Sequence, residues 1–456
     1  MPEHETVDVV VIGLGPGGEA AGARLAQAGL KVIGVDARLV GGECPYFGCV
    51  PTKMMVRAAD ALAETRRVCA LAGSADAQPS WAPVAARIRS EATDNWDDTV
   101  AVRRFESAGG RFVRGRARIT APGQVSVTTE HGEQVFHATR AILLNPGTEP
   151  AIPPIEGLAD APLWTNRDAV AVEDVPASLT ILGAGPIGCE FAQVFARFGS
   201  AVTVVEPQPR LLPAEEPEVG DVLAKVFDAE GIQARTGASA TKVSPDATVV
   251  SLDDGSAITS ERLLVATGRR ADLAALGIGA VGLDETAQGI DVDARMRAAE
   301  RVWAIGDVTG KGGFTHVSMY QTGIAAADIL GENPQPAEYR AVPRVTFTDP
   351  EVGAVGLTER AARDRGIAVR TGVAAIPSSA RGWIHKVGND GVVKLVEDAD
   401  RGVLVGATVV SPAGGEVLAV LTLAVDAQVP TARLRRMIYA YPTFHRAIED
   451  ALADLS

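Results

Sequence analysis

Two copies of one local pattern constrain this 456-residue chain more than any other feature of its sequence. The first copy is VDVVVIGLGPGGEAAGARLAQAGLKVIGVD, residues 7–36, and the second is SLTILGAGPIGCEFAQVFARFGSAVTVVE, residues 178–206. Each copy has a β-branched apolar run, a GxGxxG turn, an apolar helix pattern with alanines, a second β run and a closing acidic residue. Because the apolar pattern changes from strand to helix and back, each copy predicts a βαβ unit.

Both units contain the residues that a dinucleotide requires. The glycines allow a tight turn, a close approach of the backbone to a pyrophosphate and close helix packing, and the acid can bond a ribose hydroxyl. In both copies that acid stands 18 residues after the third glycine of the motif. A lone GxGxxG is weak evidence, but two in full context predict two Rossmann-like domains that bind two dinucleotides. The predicted contacts are Gly13, Gly15, Gly17, Gly18 and Asp36 in the first unit, and Gly183, Gly185, Ile187, Gly188 and Glu206 in the second.

The overall charge argues against several classes of partner. The chain has a net charge of −14 at pH 7 and no Lys/Arg-rich run, so phosphate backbones and anionic membrane surfaces would repel it. No apolar run reaches the length of a membrane span. The N-terminal MPEHETVDVVVIG carries acids where a signal peptide needs positive charge. We therefore expect a cytoplasmic protein without nucleic-acid or membrane partners, where a disulfide is more often catalytic than structural.

Two of the four cysteines, Cys44 and Cys49, lie close together in GGECPYFGCVPTK, residues 41–53. A regular helix would separate the α-carbons of residues five apart by roughly 8 to 9 Å, whereas a disulfide needs less than about 7 Å. Pro45 and Gly48 instead favour an irregular turn that could close a bridge. This stretch therefore favours a redox-active pair.

The residues after the second cysteine predict a helix. Pro51 suits its first turn, which places Cys49 just before the helix N-terminus. There the helix dipole and the charge of Lys53 would favour the thiolate over the thiol. Two other interpretations of the pair, a zinc site and two buried unreactive thiols, are weaker. A zinc site needs four ligands, and buried thiols do not require Pro and Gly between them. Cys69 and Cys189 lie singly in other elements, and we expect each to be a small core residue.

With these motifs in this order, the chain resembles the FAD-dependent pyridine nucleotide–disulfide oxidoreductases, which include glutathione reductase, dihydrolipoamide dehydrogenase and mercuric reductase. GGECPYFGCVPTK is similar to that family's GGxCxxxGCxPxK, and VATGRR and RVWAIGDVTG are similar to its later motifs. LLNPGTEP is similar to its ATG turn, with Asn145 and Pro146 replacing Ala and Thr. VPRVTFTDPEVGAVGLTE looks like the start of the family's dimerisation domain. The resemblance covers essentially the whole chain.

The resemblance implies a role for each residue of the redox site. Cys44 would be the interchange thiol that attacks the substrate, and Cys49 the charge-transfer thiol stacked on the flavin. Lys53 would lie beside the flavin N5 atom and pair with Glu190. The implied cofactor-binding residues are Gly42, Glu43, Lys53, Gly115 and Ala117 near the adenine, Gly147, Gly268, Asp307 at the ribitol, and His316.

The resemblance also implies the reaction. NAD(P)H would pass hydride to FAD, FAD would pass electrons to the disulfide of Cys44 and Cys49, and the Cys44 thiolate would attack a small disulfide acceptor. Glu206, the acid of the second unit, would repel a 2′-phosphate and so predicts a preference for NADH over NADPH. Arg210 stands four residues later and could weaken that preference.

The C-terminal motif departs from the family's HPTxxE, whose His exchanges a proton with the interchange thiol. In YPTFHR, Tyr441 replaces that His and Arg446 replaces the Glu. A phenol is ordinarily protonated at pH 7 and is then a poor base. His445 and Glu449, four residues apart, would form either a displaced His–Glu dyad or a solvated helix face.

We therefore expect an oxidoreductase of the dihydrolipoamide dehydrogenase type with a small disulfide as acceptor. Three alternatives stay open: a reductase of quinones or other electron acceptors that does not use Cys44, a mercuric reductase-like metal reductase, and a redox-sensing binding protein. Mercuric reductase also has Tyr at the position of Tyr441, but this chain ends EDALADLS without that enzyme's vicinal cysteines. No resident metal site is expected.

The family's architecture predicts an FAD domain that an NAD(P) domain interrupts. The expected fold is α/β, with two Rossmann-like domains followed by a C-terminal α+β dimerisation domain. We expect the FAD-binding parts at 1–150 and 272–340, the NAD(P)-binding domain at 151–271 and the dimerisation domain at 341–456. The resemblance implies a homodimer, because in the family the final motif acts on the cysteines of the other subunit.

Overall fold

The computed structural model describes residues 3–456 and divides the chain into two compact units, each assembled from separate stretches of sequence. The first unit contains the residues up to Pro51, Arg87–Ala151 and Arg269–Tyr339. The second unit contains Thr52–Ala86, Ile152–Gly268 and Arg340–Ser456.

The helices and strands are numbered in chain order. Up to residue 150 they are β1 (Glu3–Ile12), α1 (Pro16–Gln27), β2 (Val32–Asp36), α2 (Glu43–Tyr46), α3 (Cys49–Arg67), α4 (Ala82–Arg87), α5 (Thr99–Ser107), β3 (Arg111–Arg114), β4 (Arg116–Ala121), β5 (Gln124–Thr129), β6 (Gly132–Leu144) and β7 (Glu149–Pro150). Up to residue 270 follow α6 (Asn166–Ala171), β8 (Ser178–Leu182), α7 (Pro186–Arg197), β9 (Ala201–Glu206), α8 (Pro217–Ala229), β10 (Gln233–Thr236), β11 (Ala240–Val243), β12 (Val249–Leu252), β13 (Ala257–Thr259), β14 (Arg262–Val265) and β15 (Arg269–Arg270). The remainder contains α9 (Leu273–Leu276), β16 (Arg297–Ala299), β17 (Val302–Ala304), α10 (Thr315–Leu330), β18 (Pro343–Thr346), β19 (Glu351–Gly356), α11 (Glu359–Asp364), β20 (Val369–Ala375), α12 (Ala380–His385), β21 (Val392–Asp398), β22 (Val403–Ser411), α13 (Gly414–Asp426), α14 (Thr431–Leu434) and α15 (Ala447–Ala453).

The first unit is built on a sheet with strand order β16-β17-β6-β1-β2-β3, in which all neighbours except β16 and β17 are parallel. Strand β1 shows why its sequence is continuously apolar. Val10 and Ile12 pack into one hydrophobic core, and Val9 and Val11 pack into another. Since successive side chains of a strand point to opposite faces, a parallel sheet covered on both faces requires apolar residues at every position.

The second unit contains three sheets, of which β11-β12-β13 is a small antiparallel one. The second βαβ unit forms the parallel sheet β10-β9-β8-β14. The C-terminal residues form the antiparallel sheet β18-β19-β22-β21-β20, against which α13 and α15 pack. Its core includes Leu395 and Val409 from the strands and Leu418 and Leu421 from α13.

The two parallel sheets and the C-terminal antiparallel sheet with its helices confirm the predicted fold class. The predicted boundaries of the four domain segments stay predictions. Among residues 3–456, no helix is both long and apolar enough to cross a membrane.

Candidate active site

The two glycine loops have the same backbone geometry. Gly13 has φ 92° and Gly183 has φ 101°, a region that favours glycine. A Cβ atom at Gly13 would lie 2.1 Å from the carbonyl oxygen of Asn145, and one at Gly183 would lie 2.5 Å from that of Ala266. Any side chain would therefore collide with the backbone of the neighbouring strand end. The loops lead into α1 and α7, whose N-cap residues Gly15 and Gly185 supply no side-chain cap, so the positive end of each helix dipole faces its loop and favours an anionic ligand.

The acids at the ends of β2 and β9 close these loops. The Asp36 carboxylate accepts hydrogen bonds from Leu14 N at 2.8 Å and Arg38 N at 2.7 Å. The Glu206 carboxylate accepts from Ala184 N at 2.8 Å and from the amide two residues later at 2.9 Å. Burial raises the pKa of Asp36 above its usual range. Each carboxylate oxygen has a second lone pair, so the same acid can hold its loop and accept from a ribose hydroxyl.

Asn145 joins three segments of the first unit. Its Oδ1 atom accepts from Gly18 N at 2.7 Å, and its Nδ2 atom donates to the Ile305 carbonyl at 3.1 Å. Its own N–H donates to the Ile12 carbonyl at 2.7 Å. The residue that departs from the family's ATG turn thus connects the start of α1 to the segment before Asp307.

Two predicted cofactor residues, Glu43 and Asp307, are connected through Thr148 and Arg269. The Thr148 hydroxyl donates to Asp307 Oδ2 at 3.0 Å and accepts from Arg269 Nε at 3.0 Å. The Arg269 guanidinium also lies 3.4 Å from Glu43 Oε2. Arg269 is the first Arg of the VATGRR motif. The motif was identified in the sequence, but this arginine was not among the predicted site residues.

The redox turn consists of two helical segments with a break between them. Cys44 lies in α2 and is half-buried, whereas Cys49 begins α3 and is exposed. A Cβ atom at Gly48 would lie 3.1 Å from the Glu43 carbonyl oxygen and 3.6 Å from Cys44 Cα, so glycine lets the second segment approach the first. The expected irregular turn is present, but Cys49 is the first residue of its helix rather than the residue before it. The chain re-enters helix directly after the break at Phe47 and Gly48.

Cys49 lies against a second helix start. Its Sγ atom is 3.7 Å from Oγ1 of Thr315, the first residue of α10. The next residue, His316, stacks on Phe314 with ring centroids 5.2 Å apart. Helix N-termini favour negative charge, so both α3 and α10 would stabilise a thiolate at Cys49. Sequence reasoning missed Thr315, which precedes the predicted His316.

The predicted Lys53–Glu190 pair is brought together. Lys53 Nζ lies 2.7 Å from Glu190 Oε2 and 4.6 Å from the centroid of the Phe347 ring. Glu190 Oε1 accepts from Phe347 N at 2.9 Å. Glu190 is buried, and Lys53 stands one turn after Cys49 on α3. The pair therefore fixes an ammonium group one turn from the redox turn.

The other predicted positions follow the loops and strands of the two units. Gly15 and Gly185 are the N-caps of α1 and α7, Gly17 and Gly18 lie in α1, and Ile187 and Gly188 lie in α7. Gly42 precedes α2, Gly115 precedes β4, Ala117 lies in β4, Gly147 follows β6 and Gly268 precedes β15.

Cys189 and Cys69 differ in their surroundings. Cys189 is buried in α7, its thiol donates to the Ala184 carbonyl at 3.3 Å, and burial raises its pKa strongly. Cys69 is exposed in the 3₁₀ turn after α3, so the prediction of a core residue was wrong for it. The reason is that α3 and its buried face end at Arg67. Within residues 3–456, no group of three or more His, Cys, Asp and Glu side chains is arranged to hold a metal ion.

The C-terminal motif forms pairs other than the His445–Glu449 dyad, which was one of the two arrangements that the sequence left open. The Arg446 guanidinium lies over the Tyr441 ring, 5.5 Å from its centroid, and 2.9 Å from Glu449 Oε2. Tyr441 is 70% exposed. In the described part of the chain Glu449 thus pairs with Arg446 and has no hydrogen bond to His445.

Comparison with known proteins identifies the family of this chain. The chain matches the family described as pyridine nucleotide-disulphide oxidoreductase over residues 7–323, and that family's dimerisation domain over residues 342–452. The chain belongs to the pyridine nucleotide-disulphide oxidoreductases. It is thus a flavoprotein enzyme of a family that depends on FAD and a pyridine nucleotide and acts on sulfur groups.

Its relatives within the oxidoreductase family have different acceptors in their names. It is 33% identical to a dihydrolipoyl dehydrogenase of Thermus scotoductus over 98% of this chain and 97% of the relative. It is 30% identical to a mercuric reductase of Shewanella putrefaciens over 96% of this chain and 79% of the relative. Among solved structures it is similar to the Cu(II) complex of the HOCl-induced flavoprotein disulfide reductase RclA from Escherichia coli. That match has 25% identity and a TM-score of 0.85, and covers 98% of this chain and 99% of the other.

The first unit of this oxidoreductase fits FAD. A side chain at Gly13 would collide with the backbone of Asn145, so the loop is bare backbone where a pyrophosphate would approach. Asp36 and Asp307 offer carboxylates to the hydroxyl groups of the cofactor. These groups suit the cofactor, and the assignment of the individual residues to it stays a prediction.

Proposed function

We propose that this oxidoreductase reduces a small disulfide with NADH, through the redox pair of Cys44 and Cys49. The overall reaction is NADH + H⁺ + RSSR → NAD⁺ + 2 RSH, in which the disulfide gains two electrons and two protons. The observation that carries the proposal is the placement of Cys49 at two helix N-termini, with the Lys53–Glu190 pair one turn away. This surrounds a sulfur atom with groups that favour its thiolate form.

The protein residues would act in a defined order. FAD, when bound, supplies the two-electron transfer from the nicotinamide to the cysteine pair. The Cys44 thiolate would then attack one sulfur of the acceptor, releasing one thiol, and Cys49 would attack the mixed disulfide, releasing the second thiol and restoring the disulfide. Lys53, held by Glu190, would keep a positive charge beside Cys49 during this exchange.

We further propose that NADH is preferred over NADPH. Glu206 is buried and fixed by two backbone N–H groups, so a 2′-phosphate would meet a carboxylate held in place. Arg210 would not offset it, because its Nη2 atom donates to the carbonyls of Pro213 and Glu215 at 3.1 and 3.3 Å. The ratio of kcat/KM for the two coenzymes tests this. A value for NADPH equal to or above that for NADH would contradict it.

We propose a homodimer built on residues 341–456, with FAD-binding parts at 1–150 and 272–340 and an NAD(P)-binding domain at 151–271. The match of the dimerisation domain to residues 342–452 supports this layout. In such a dimer the segment with Tyr441 and His445 would serve the cysteines of the other subunit. Sedimentation of the holoenzyme tests the dimer, and a monomer across the assayed concentrations would contradict it.

An anaerobic titration of the holoenzyme with NADH tests the use of the cysteine pair. We expect a long-wavelength absorbance band while the flavin absorbance remains, because a Cys49 thiolate would lie against the cofactor. The matched variant Cys44→Ser should lose disulfide turnover. Bleaching of the flavin without that band, together with full quinone turnover by Cys44→Ser, would instead support a reductase that bypasses the cysteines.

A further inference from the structure

Lys53 has a flexible side chain that its ion pair with Glu190 does not fix by itself. Its Nζ atom donates to Glu190 Oε2 at 2.7 Å, and the side chain is still 35% exposed. An ammonium group carries three N–H donors at the end of a chain of rotatable bonds, so one partner leaves it room to pivot. A further contact therefore decides where the charge of Lys53 lies.

Phe347 supplies this further contact. Lys53 Nζ lies over the Phe347 ring, 4.6 Å from its centroid. The face of an aromatic ring attracts a cation within about 6 Å. The backbone N–H of the same residue donates to Glu190 Oε1 at 2.9 Å. Phe347 therefore contacts both members of the ion pair, the ammonium through its ring and the carboxylate through its backbone.

The segment between β18 and β19 that carries this ring is bonded to α7. Asp349 N donates to Gln193 Oε1 at 2.8 Å, and Gln193 Nε2 donates to the Asp349 carbonyl at 2.9 Å. Arg197 Nη2 lies 2.8 Å from Asp349 Oδ2. Glu190, Gln193 and Arg197 are three and four residues apart, so they lie on one face of α7. That face fixes the segment, and with it the position of the ring.

We propose that Phe347 is a positioning residue of the redox site, whose ring holds the Lys53 ammonium where it stabilises the Cys49 thiolate. The inference rests on the proposed disulfide reductase function. Cys49 stands one turn before Lys53 on α3, so the charge acts most strongly on the sulfur while the ammonium is kept near that turn. Without the ring, the ammonium would turn towards water, and the thiolate would lose part of its stabilisation.

The pH at which the long-wavelength band appears measures the stabilisation of the thiolate. In holoenzyme reduced anaerobically with stoichiometric NADH, the band grows as Cys49 loses its proton, so the midpoint of the titration reports the pKa of this thiol. Phe347→Leu removes the ring but keeps an apolar side chain and the backbone N–H that holds Glu190. We expect the midpoint to rise by about half a pH unit and reduction by NADH to slow about threefold.

Phe347→Tyr is the conservative variant. It keeps the face of the ring, so it should keep the midpoint and the rate of the wild type. A midpoint shifted equally in Phe347→Tyr and Phe347→Leu would overturn the proposal, because the ring face would then not be the cause.

Phe112→Leu is the matched control, because the Arg114 guanidinium lies 4.6 Å from the centroid of the Phe112 ring in the first unit. Both phenylalanines are half-buried, so the same substitution removes a cation–ring contact of the same length elsewhere. We expect this variant to leave the midpoint of the band unchanged. Equal shifts in Phe112→Leu and Phe347→Leu would overturn the proposal, since a general loss of stability would then be responsible.

The remaining outcomes separate this proposal from the proposed function. If the wild type shows the band and Phe347→Leu titrates like it, Phe347 has no positioning role, and the use of the cysteine pair stands. If the wild type shows no band at any pH, urea unfolding of Phe347→Leu, Lys53→Met and the double variant decides. Losses of stability that do not add would support the contact of ring and ammonium and overturn its effect on Cys49, whereas additive losses would overturn both.

Discussion

Replacement of Glu190 by Gln tests whether a buried carboxylate holds Lys53 beside the redox turn. Glu190 is 6% exposed, and its two oxygens contact Lys53 Nζ at 2.7 Å and Phe347 N at 2.9 Å. Gln has nearly the same shape and keeps an acceptor for the Phe347 N–H. The change therefore removes chiefly the negative charge.

The expected cost follows from the burial of the two partners. Removing one partner of a buried ion pair costs about 3–5 kcal/mol. The Lys53 side chain is 35% exposed, so water can solvate its ammonium, and we expect about 1–3 kcal/mol instead. If the same free energy is lost in the transition state for reduction of the cysteine pair, the rate falls by about 5- to 150-fold.

Anaerobic stopped-flow reduction of the holoenzyme by NADH measures that rate, and urea unfolding followed by fluorescence measures the stability. Glu230→Gln is the matched control, because it removes the same charge from another ion pair, 2.6 Å from Arg197 Nη2. We expect both variants to unfold at lower urea concentration and Glu190→Gln alone to be slow. A normal reduction rate in Glu190→Gln, or equal slowing of both variants, would refute the positioning role.

Three further changes probe the site and the fold. Thr315→Val removes the hydroxyl 3.7 Å from Cys49 Sγ and should weaken the long-wavelength band formed with NADH. Thr315→Ser keeps the hydroxyl and should keep the band. Equal spectra of the two variants would contradict a role for this contact. His445→Ala should lower the rate of reoxidation by disulfide by less than about tenfold, because the carboxylate of Glu449 pairs with Arg446 and does not orient His445. A loss of about 100-fold or more would support the dyad. Burial raises the pKa of Asp60 from 3.8 to about 6, so the folded chain retains a proton that the unfolded chain has lost. The contribution of Asp60 to stability should therefore fall as the pH rises from about 4 to 6 and then level off. The urea midpoint of the wild type, measured relative to that of Asp60→Asn, should decline over this range, and an equal slope in both proteins would contradict the assignment.

The parts of the site that depend on local geometry could be predicted from the sequence. The turns at Gly13 and Gly183 require glycine, because any side chain there would collide with the backbone. The glycines of the motif are therefore a direct sequence signal for the loop. The hydrogen bonds by which Asp36 and Glu206 hold their own loops were not predicted, because spacing indicates that an acid stands near the loop but not which N–H groups it accepts from. The Lys53–Glu190 pair, which joins α3 to α7, was reached through the family resemblance alone.

The His445–Glu449 dyad, one of two arrangements that the sequence left open, shows what local spacing does not decide. A separation of four residues brings side chains together when both lie in one α-helix. His445 instead lies in the 3₁₀ turn Phe444–Arg446, and α15 begins only at Ala447. Arg446 is closer in sequence to Glu449 and carries a permanent charge, so it takes the carboxylate.

Asn145 marks the main difference between the two otherwise equivalent loops. In the first unit its side chain connects the start of α1 to the Ile305 carbonyl, whereas the equivalent residue of the second unit is Ala266, which has no polar side chain. A loop that is fixed by such bonds before its ligand arrives loses less conformational freedom on binding, and therefore holds the ligand more tightly. A resident cofactor benefits from this preorganisation, but a coenzyme that must leave after each turnover does not. If the first loop holds FAD and the second NAD(P), as we propose, the exchange of Ala for Asn in the family's ATG turn would strengthen the loop that retains its cofactor and leave the other free to release its product.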